Sequence, residues 1–318
     1  MLKNLTNKKK KIKKNILLVG SGRWSKITTL EIKKNFKQVN IFIYSKKRKQ
    51  FKEWCKKKKI EVNFLKKLNQ AKINNISHAI VINKNKDHYR YTKKLLLLGI
   101  KTLVEKPLVN KIYEFKKLYN LSKIKKTNLL VSLPFFYAMY FYFYKKKFLN
   151  RKVSLINFIW TDKYNEKRGG ILKRQNLTNE FVDSIYHIFS ILNIFFGKGN
   201  LNFNQRDFFT KENLLKFRYK KILVTAYCKR NYKKRSRKII FFCNKDKIEI
   251  NFSNNNLSKI FLPNKKKAIS CPKNFQNLTL AYQILFFLNI KSYRHVLFND
   301  VRNLKSFLYK KFEIQKKL

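Results

Sequence analysis

The feature that most constrains the fold is the regular alternation of apolar runs and helical segments over the first 135 residues. Helical patterns separate most of these runs. Runs of this kind are typical of strands that are buried on both faces of a parallel sheet. The alternation therefore predicts a doubly wound parallel sheet of Rossmann type, an α/β fold. Six strands are predicted, at residues 15–19, 39–44, 61–65, 78–82, 102–104 and 128–133.

The pattern changes after residue 134, where strand-like runs follow one another with little helix between them. Such an order predicts an α+β domain with a mostly antiparallel open sheet. We therefore divide the chain into a basic tail (1–14), a dinucleotide-binding Rossmann domain (15–134) and a substrate-binding domain (135–318). Helices are predicted in the last part at 180–196, 278–289 and 299–312, and strands at 153–160, 201–209, 214–228, 238–243, 247–252 and 259–262.

The chain is strongly basic, with 76 Lys and Arg against 16 Asp and Glu and a formal net charge of +60. Such a charge is typical of proteins that bind nucleic acid or anionic membranes. Here the basic residues are mostly lysines spread along the whole chain, and Lys, Asn, Ile, Phe and Tyr all have A/T-rich codons. The base composition of the genome explains both the high net charge and the enrichment of these residue types. We therefore expect no specific nucleic-acid partner. A basic nucleic-acid-binding protein remains the alternative from another class.

Cysteine spacing and hydropathy exclude several other classes. The four cysteines lie far apart without a Cys-x-x-Cys pair, so we predict neither a metal site nor a disulfide framework. The most apolar stretch, residues 129–144, is shorter than the roughly 20 residues that span a bilayer, and it is rich in aromatic residues. We therefore expect a cytoplasmic protein with no membrane partner.

A glycine motif follows the first predicted strand and opens the first helix, in the run Gly20-Ser21-Gly22-Arg23-Trp24. The first glycine permits a tight turn, and the second allows the backbone to approach a pyrophosphate at the helix N-terminus. Ser25 stands where the motif has its third glycine. Within the alternating pattern, this motif predicts a dinucleotide site.

The end of the second strand indicates which dinucleotide binds. An NAD site usually places Asp or Glu there, on the ribose 2′-hydroxyl. This chain instead has Ser45-Lys46-Lys47-Arg48, a hydroxyl followed by three cations. Such a run suits the 2′-phosphate of NADP, with Ser45, Lys46 and Arg48 as ligands. We therefore predict NADP(H) as the preferred cofactor, with NAD(H) as the alternative.

Three segments together resemble the glucose–fructose oxidoreductase, inositol dehydrogenase and MocA (Gfo/Idh/MocA) family. They are ILLVGSGRWSK (16–26), INKNKDH (82–88) and GIKTLVEKPL (99–108). The family has Thr-Pro-Asn-x-x-His in the second segment; Asn85 and His88 match it, whereas Asn83 takes the Thr position. The resemblance implies that Asn83, Asn85, His88 and Glu105 line the cofactor site. It also implies that Lys106 lies beside the nicotinamide and takes part in proton transfer.

A second motif, Asp183-Ser-Ile-Tyr-His187, falls in the helix predicted at 180–196. Residues four apart lie on one helical face, so both side chains can point at one substrate. The motif resembles the family's Asp-x-x-x-His. The resemblance implies that His187 is a general acid or base and that Asp183 orients it or binds a substrate hydroxyl.

Together these features predict an NADP(H)-dependent oxidoreductase that transfers hydride to or from a small-molecule substrate. A sugar or polyol, another small carbonyl and an imine all remain open as the substrate. A non-catalytic family member that only binds the cofactor is a further alternative. The resemblance also implies a homodimer or tetramer that forms through the open C-terminal sheet.

Overall fold

The computed structural model describes residues 14–147, 151–164, 167–168, 171–172, 180–199, 201–202, 214–244, 246–254, 258–263, 265, 267–272 and 279–289. The chain forms two units. Among the described residues, the first unit comprises 14–132 and 280–289, and the second comprises those from 133 to 279.

The first unit is a parallel sheet with connecting helices, as the apolar runs predict. Its six strands follow the order β3-β2-β1-β4-β5-β6, and each neighbouring pair is parallel. The central strand β4 is buried along its whole length, because both faces of the sheet are covered. The elements are β1 (Lys14–Val19), α1 (Arg23–Asn35), β2 (Val39–Tyr44), α2 (Arg48–Lys57), β3 (Asn63–Phe64), α3 (Gln70–Ile73), β4 (His78–Val81), α4 (Asn85–Leu97), β5 (Lys101–Glu105), α5 (Ile112–Ile124) and β6 (Leu129–Ser132).

All six predicted strands of the first unit are confirmed, with shifts of one or two residues at their ends. The four-residue helix α3 was not predicted. It is too short to carry a helical hydrophobic period, so the sequence gives no signal for it. The strand order reverses direction between β1 and β4, and in such sheets ligands bind at the carboxyl ends of the strands beside this switch point.

The last described helix, α8 (Thr279–Asn289), packs against the first unit, although the sequence placed it in the second domain. Lys14 donates a hydrogen bond from Nζ to the carbonyl of Leu288. The His78 ring meets Phe287 edge-on, with 5.1 Å between ring centroids. Contacts between distant segments decide this packing, and a local pattern does not contain them. The helix predicted at 299–312 lies outside the described residues.

The second unit is built on an eight-stranded sheet of order β10-β11-β12-β7-β13-β14-β15-β16. Only β7 and β12 run parallel among these neighbours, so the predicted mostly antiparallel sheet is confirmed. The elements are a 3₁₀ helix (Pro134–Tyr137), α6 (Met139–Lys147), β7 (Leu155–Lys163), β8 (Lys167–Arg168), β9 (Ile171–Leu172), α7 (Glu180–Phe196), β10 (Leu201–Asn202), β11 (Leu214–Tyr219), β12 (Ile222–Tyr232), β13 (Ser236–Cys243), β14 (Asp246–Asn251), β15 (Lys259–Phe261) and β16 (Ile269–Ser270).

One predicted strand, at 214–228, is two strands in the structure. The chain reverses at Lys220, whose φ of +56° lies in the left-handed region, so that β11 and β12 form a hairpin. Turns with positive φ usually contain Gly or Asn, and this turn contains two lysines. The turn therefore carries no sequence signal, and the two apolar runs appear continuous.

The two faces of the second sheet differ in burial. On β7, Ile156, Phe158 and Trp160 are buried on the face that α7 covers, whereas Leu155 and Ile159 on the other face are half-buried. This alternation follows from the two-residue period of a strand. In the described parts of the chain, no helix is both long and apolar enough to cross a bilayer.

Candidate functional site

The glycine loop after β1 is tightly fixed at one glycine and open at the other. Gly20 donates a backbone hydrogen bond to Tyr44 (2.9 Å) and has φ +134°. A Cβ atom at Gly20 would lie 2.9 Å from the carbonyl oxygen of Ile82, so only glycine fits. A Cβ atom at Gly22 would meet nothing within 4 Å. Backbone therefore approaches backbone at Gly20, and Gly22 faces open space.

This loop fits a pyrophosphate. Gly22 is the N-cap of α1, and no side chain caps that helix. The first backbone N–H groups of a helix have no partner within the helix, and the helix dipole makes this end attractive to anions. Ser25 is fully buried, and its Oγ has no hydrogen-bond partner among the described residues. Backbone donors at the start of α1 thus border the space at Gly22.

The end of β2 lies beside this loop. Ser45 donates a hydrogen bond from Oγ to Ser21 Oγ (2.6 Å) and accepts one from the backbone N–H of Lys47 (3.1 Å). Lys46 and Arg48 follow directly and are exposed. A hydroxyl pair and two exposed cations therefore border the glycine loop, where the sequence predicts the cofactor's ribose. Trp24 and Arg23, in the first turn of α1, are exposed and half-buried respectively.

The chain just after β4 contributes a buried polar group at the same end of the sheet. The side-chain amide atoms of Asn83 are buried and have no hydrogen-bond partner among the described residues. A buried amide of this kind is costly unless a ligand satisfies it. Asn85, the first residue of α4, is half-buried nearby in sequence. This buried amide is a physical reason to expect Asn83 in the cofactor site, as the sequence predicts.

His88 connects the ends of β4 and β5. Its ring is fully buried, with Nδ1 2.8 Å from the Pro107 carbonyl oxygen and Nε2 3.2 Å from that of Asn83. Burial lowers the pKa of His88 below its ordinary value, although both carbonyls act to raise it. The neutral ring has one N–H, and the shorter distance indicates that Nδ1 donates to Pro107. His88 thus holds the turn that carries Lys106.

Lys106 directly follows β5 and is 8% exposed, which is rare for a lysine in a chain with so many exposed ones. The peptide bond between Lys106 and Pro107 is cis. Glu105, the last residue of β5, is half-buried and lies beside Ser132 of β6. Strand register brings the ends of β1, β4 and β5 side by side at one edge of the sheet. The structure thus brings Lys106 to the same edge as the glycine loop.

In the second unit, His187 lies in an aromatic cluster. Its ring stacks on Trp160, with centroids 5.4 Å apart and 17° between the planes. It also meets Phe135 edge-on, with centroids 4.9 Å apart. Asp183 lies on the same helix, α7, as predicted, and its side chain lies outside the described part of the structure. The Trp160 contact fixes the plane of the predicted acid–base residue.

A buried ion pair lies next to this cluster, and the sequence did not predict it. Arg237 pairs with Asp162, and the two residues are 3% and 7% exposed. The Arg237 guanidinium also lies over the Trp160 ring, 4.3 Å from its centroid. Asp162 and Trp160 alternate on β7, so they share one face of the strand. The alternation of Trp160 and Asp162 was the sequence signal that Asp162 is buried. Arg237 carried no such signal, because it is one of many cations in the chain.

Metal-ligating side chains and thiols are two further residue classes in the described part of the chain. No cluster of three His, Cys, Asp or Glu side chains exists there. All four cysteines are free and buried. Burial raises the pKa of both Cys55 and Cys271 to about 11, so these thiols stay protonated at neutral pH.

A parallel sheet of this strand order, with a glycine loop at its switch point, is typical of a dinucleotide-binding domain, and here a buried lysine lies at the same edge. Residues 14–133 match the Gfo/Idh/MocA model, which describes an oxidoreductase family with an NAD-binding Rossmann fold. Residues 14–133 thus form an NAD-binding Rossmann domain of this oxidoreductase family, and the resemblance seen in three sequence segments, all of which lie within these residues, is confirmed. No curated protein matches the sequence.

Solved structures are similar over nearly the whole chain, at low sequence identity. A dehydrogenase (MviM) from Clostridium difficile has a TM-score of 0.70 at 16% identity and covers 95% of this chain and 99% of its own. A 3-ketoreductase from Actinomadura kijaniata, in complex with TDP-benzene and NADP, has a TM-score of 0.72 at 12% identity, with 92% and 95% covered. UDP-N-acetylglucosamine 3-dehydrogenase from Acidithiobacillus ferrooxidans has a TM-score of 0.64 at 12% identity, with 86% and 88% covered. At these low sequence identities, the similarity shows a shared fold alone.

Proposed function

We propose that the protein is an NADP(H)-dependent oxidoreductase in which Lys106 and His187 transfer protons. The observation that carries the proposal is the burial of Lys106 at the sheet edge that also holds the glycine loop. When bound, the nicotinamide supplies or accepts the hydride. A carbonyl that gains hydride also needs a proton, and the reverse reaction needs a base. The Lys106 ammonium can give that proton, and the amine can take it back.

The other residues of the first unit bind and orient in this proposal. Backbone N–H groups at the start of α1, beside Gly22, hold the pyrophosphate. The Asn83 amide, which lacks a partner among the described residues, hydrogen-bonds the cofactor. His88 positions Lys106 through the Pro107 carbonyl and does not itself exchange protons with substrate. Gly20, Ser21, Arg23, Trp24, Asn85 and Glu105 complete the proposed cofactor site.

For the substrate we favour a sugar or a sugar derivative with a carbonyl or secondary alcohol. One of the similar structures is named a 3-ketoreductase, for its action on a 3-keto group. Another is named a 3-dehydrogenase of the sugar nucleotide UDP-N-acetylglucosamine. In the second unit, Trp160 and Phe135 flank His187 with aromatic faces and edges. His187 is the proposed acid–base residue nearest the substrate oxygen, and Asp183 orients it. An imine substrate uses the same proton and hydride transfers.

The cofactor preference is tested at Arg48. Changing Arg48→Ala removes an exposed guanidinium that, in this proposal, hydrogen-bonds the 2′-phosphate of NADPH. A hydrogen bond to a charged group contributes enough for about a tenfold or larger rise in the Kd of NADPH. The Kd of NADH should change little, because NADH has no 2′-phosphate. Titration of NADPH and NADH into both proteins, followed by nicotinamide fluorescence, measures the four constants.

The matched control for this change is Lys52→Ala, which removes another exposed cation of helix α2. It should leave both constants within about twofold of the original protein, since long-range attraction between exposed charges is weak and screened by salt. Equal Kd values of NADPH and NADH for the unchanged protein would contradict the NADP preference. The oxidoreductase assignment would stand in that case, with no preference between the two cofactors.

The half-buried face of the second sheet is the surface that we propose for a homodimer or tetramer. Its central positions include Leu155, Ile159 and Ile240, apolar side chains that remain half-buried in the single chain. Pairing of such faces removes this apolar area from water. Sedimentation equilibrium should give a multiple of the 38.6 kDa chain mass, and Ile240→Lys should shift it towards the single chain. A single-chain mass for the unchanged protein at 50 µM would refute the proposal.

A further inference from the structure

His187, the proposed acid–base residue of the second unit, lies against side chains that are themselves held in place. These side chains project from the face of the eight-stranded sheet that α7 covers, opposite to the face proposed for pairing between copies. They belong to Trp160 and Asp162 of β7 and to Arg237 of β13. Trp160 and Arg237 are direct partners in the strand register, so their side chains are neighbours on this face.

The Arg237 guanidinium is held by acceptors on two strands. Its Nη2 donates to the Asp162 carboxylate. Its Nη1 donates to the backbone carbonyl of Thr161 and to that of Ser236 (2.9 Å). Because hydrogen bonds between charged groups are strong and directional, they determine the plane of the guanidinium. The position of Arg237 over the Trp160 ring, 4.3 Å from its centroid, is therefore set by hydrogen bonds as well as by packing.

Trp160 is enclosed by other aromatic rings as well. Phe135 and Phe252 meet it at steep angles, with centroids 5.6 Å and 5.9 Å away. Only 6% of Trp160 is exposed, so the indole cannot change rotamer without displacing one of its neighbours. His187 stacks on this indole, with 17° between the planes, and meets Phe135 edge-on. The orientation of the imidazole thus depends on a ring that is itself fixed.

Stability alone does not account for the two charges in this group. Taking an ion pair out of water costs desolvation, and replacing both members by apolar side chains of similar volume is often neutral or stabilising. What the pair of Asp162 and Arg237 adds is direction, because a planar guanidinium with fixed hydrogen bonds stacks on an aromatic face in one defined orientation. The ion pair therefore specifies where the indole lies, and the indole specifies where the imidazole lies.

We propose that Trp160 and Arg237 are positioning residues that act through His187, and that Asp162 holds Arg237 for this role. The inference rests on the proposed function of His187 in proton transfer. Proton transfer needs donor and acceptor at hydrogen-bond distance, and a misplacement of about 1 Å can lower a rate by about 100-fold. None of the three positioning side chains exchanges a proton with the substrate. They set the plane of the imidazole that does.

The double variant Asp162→Leu/Arg237→Met tests the proposal, because it replaces the ion pair by apolar side chains and leaves no buried charge without its partner. Its thermal transition should stay at that of the unchanged protein or rise. Its kcat should fall about tenfold or more, because the imidazole is no longer oriented. KM and the Kd of NADPH should stay within a few-fold. NADPH absorbance, with a panel of keto sugars and keto-sugar nucleotides, measures kcat and KM.

A second measurement needs no substrate. In the full chain with isotope-labelled histidine, the ring current of Trp160 should shift the NMR signals of the His187 ring, which are identified by their loss in His187→Gln. The double variant and Trp160→Leu should both move these signals towards the values of an exposed histidine. Trp160→Phe keeps an aromatic face for the imidazole, so it should retain part of the shift and part of kcat.

The matched control is Phe158→Leu, which removes a buried aromatic ring from the same face of β7. It should lower the thermal transition, leave the His187 signals in place and keep kcat within a few-fold. Unmoved His187 signals in the double variant would overturn the positioning role and leave the oxidoreductase proposal intact. So would an unchanged kcat in the double variant when His187→Gln lowers it. Turnover that survives His187→Gln unaltered would refute the acid–base role of His187, and this inference with it.

Discussion

Replacing Lys106 with alanine should lower kcat/KM by about 10²–10⁴-fold, the usual contribution of one proton-transfer residue. The Kd of NADPH should stay within a few-fold, because the pyrophosphate and ribose contacts proposed at Gly22 and Arg48 remain. Steady-state assays that follow NADPH absorbance, over a panel of sugars and sugar nucleotides and their keto forms, measure the first quantity. Nicotinamide fluorescence measures the second.

Lys116→Ala is the matched control, because Lys116 is an exposed lysine of α5, in the same unit. It should leave turnover unchanged. Turnover that survives Lys106→Ala unaltered would remove Lys106 from the mechanism. NADPH binding without turnover on any substrate, in the unchanged protein, would instead support a non-catalytic cofactor-binding protein. A nucleic-acid-binding protein would be indifferent to Lys106 in every assay.

The second large effect is expected on stability, at Asp162. Changing Asp162→Ala leaves the Arg237 guanidinium, in a residue that is 3% exposed, without its carboxylate partner. Removing one member of a buried ion pair typically costs about 3–5 kcal/mol in the free energy of unfolding. Because Arg237 also lies over Trp160, on which His187 stacks, turnover should fall as well. Urea unfolding followed by tryptophan fluorescence measures the loss of stability.

The matched control is Asp246→Ala, which breaks the Arg151–Asp246 pair, whose side chains are 35% and 42% exposed. An ion pair in water at the surface contributes about 0–1 kcal/mol, so little change is expected. A third variant, Asp162→Asn, keeps a hydrogen-bond acceptor for Arg237 and should lie between the two. A loss at Asp162→Ala no larger than the loss at Asp246→Ala would show that the buried pair has no special weight.

Local patterns were sufficient to predict most of the first unit. Most of its strands are short apolar runs, and Gly20 and Gly22 carry a turn signal at the right place between strand and helix. The Glu105-Lys106-Pro107 segment stood out only through its resemblance to a family. The structure then gives the physical basis, since His88 is buried against the Pro107 carbonyl.

Contacts between distant residues could not be predicted in the same way. Arg237 and Asp162 lie 75 positions apart, and in a chain with 76 basic residues no single arginine attracts notice. The reversal at Lys220 was hidden because lysine is an unusual residue for positive φ.

The return of α8 to the first unit has a consequence for how the protein is made. A ribosome delivers residues 14–132 early, but α8 supplies Gln283, which accepts a hydrogen bond from Ser132, and Phe287, which packs on His78. Both are synthesised only after the described strands of the second unit have emerged. Domains generally fold during synthesis in N-terminal order. Here the first unit to emerge is completed only after the described strands of the second unit, so a nascent chain waits for α8 before its cofactor-binding sheet is fully covered.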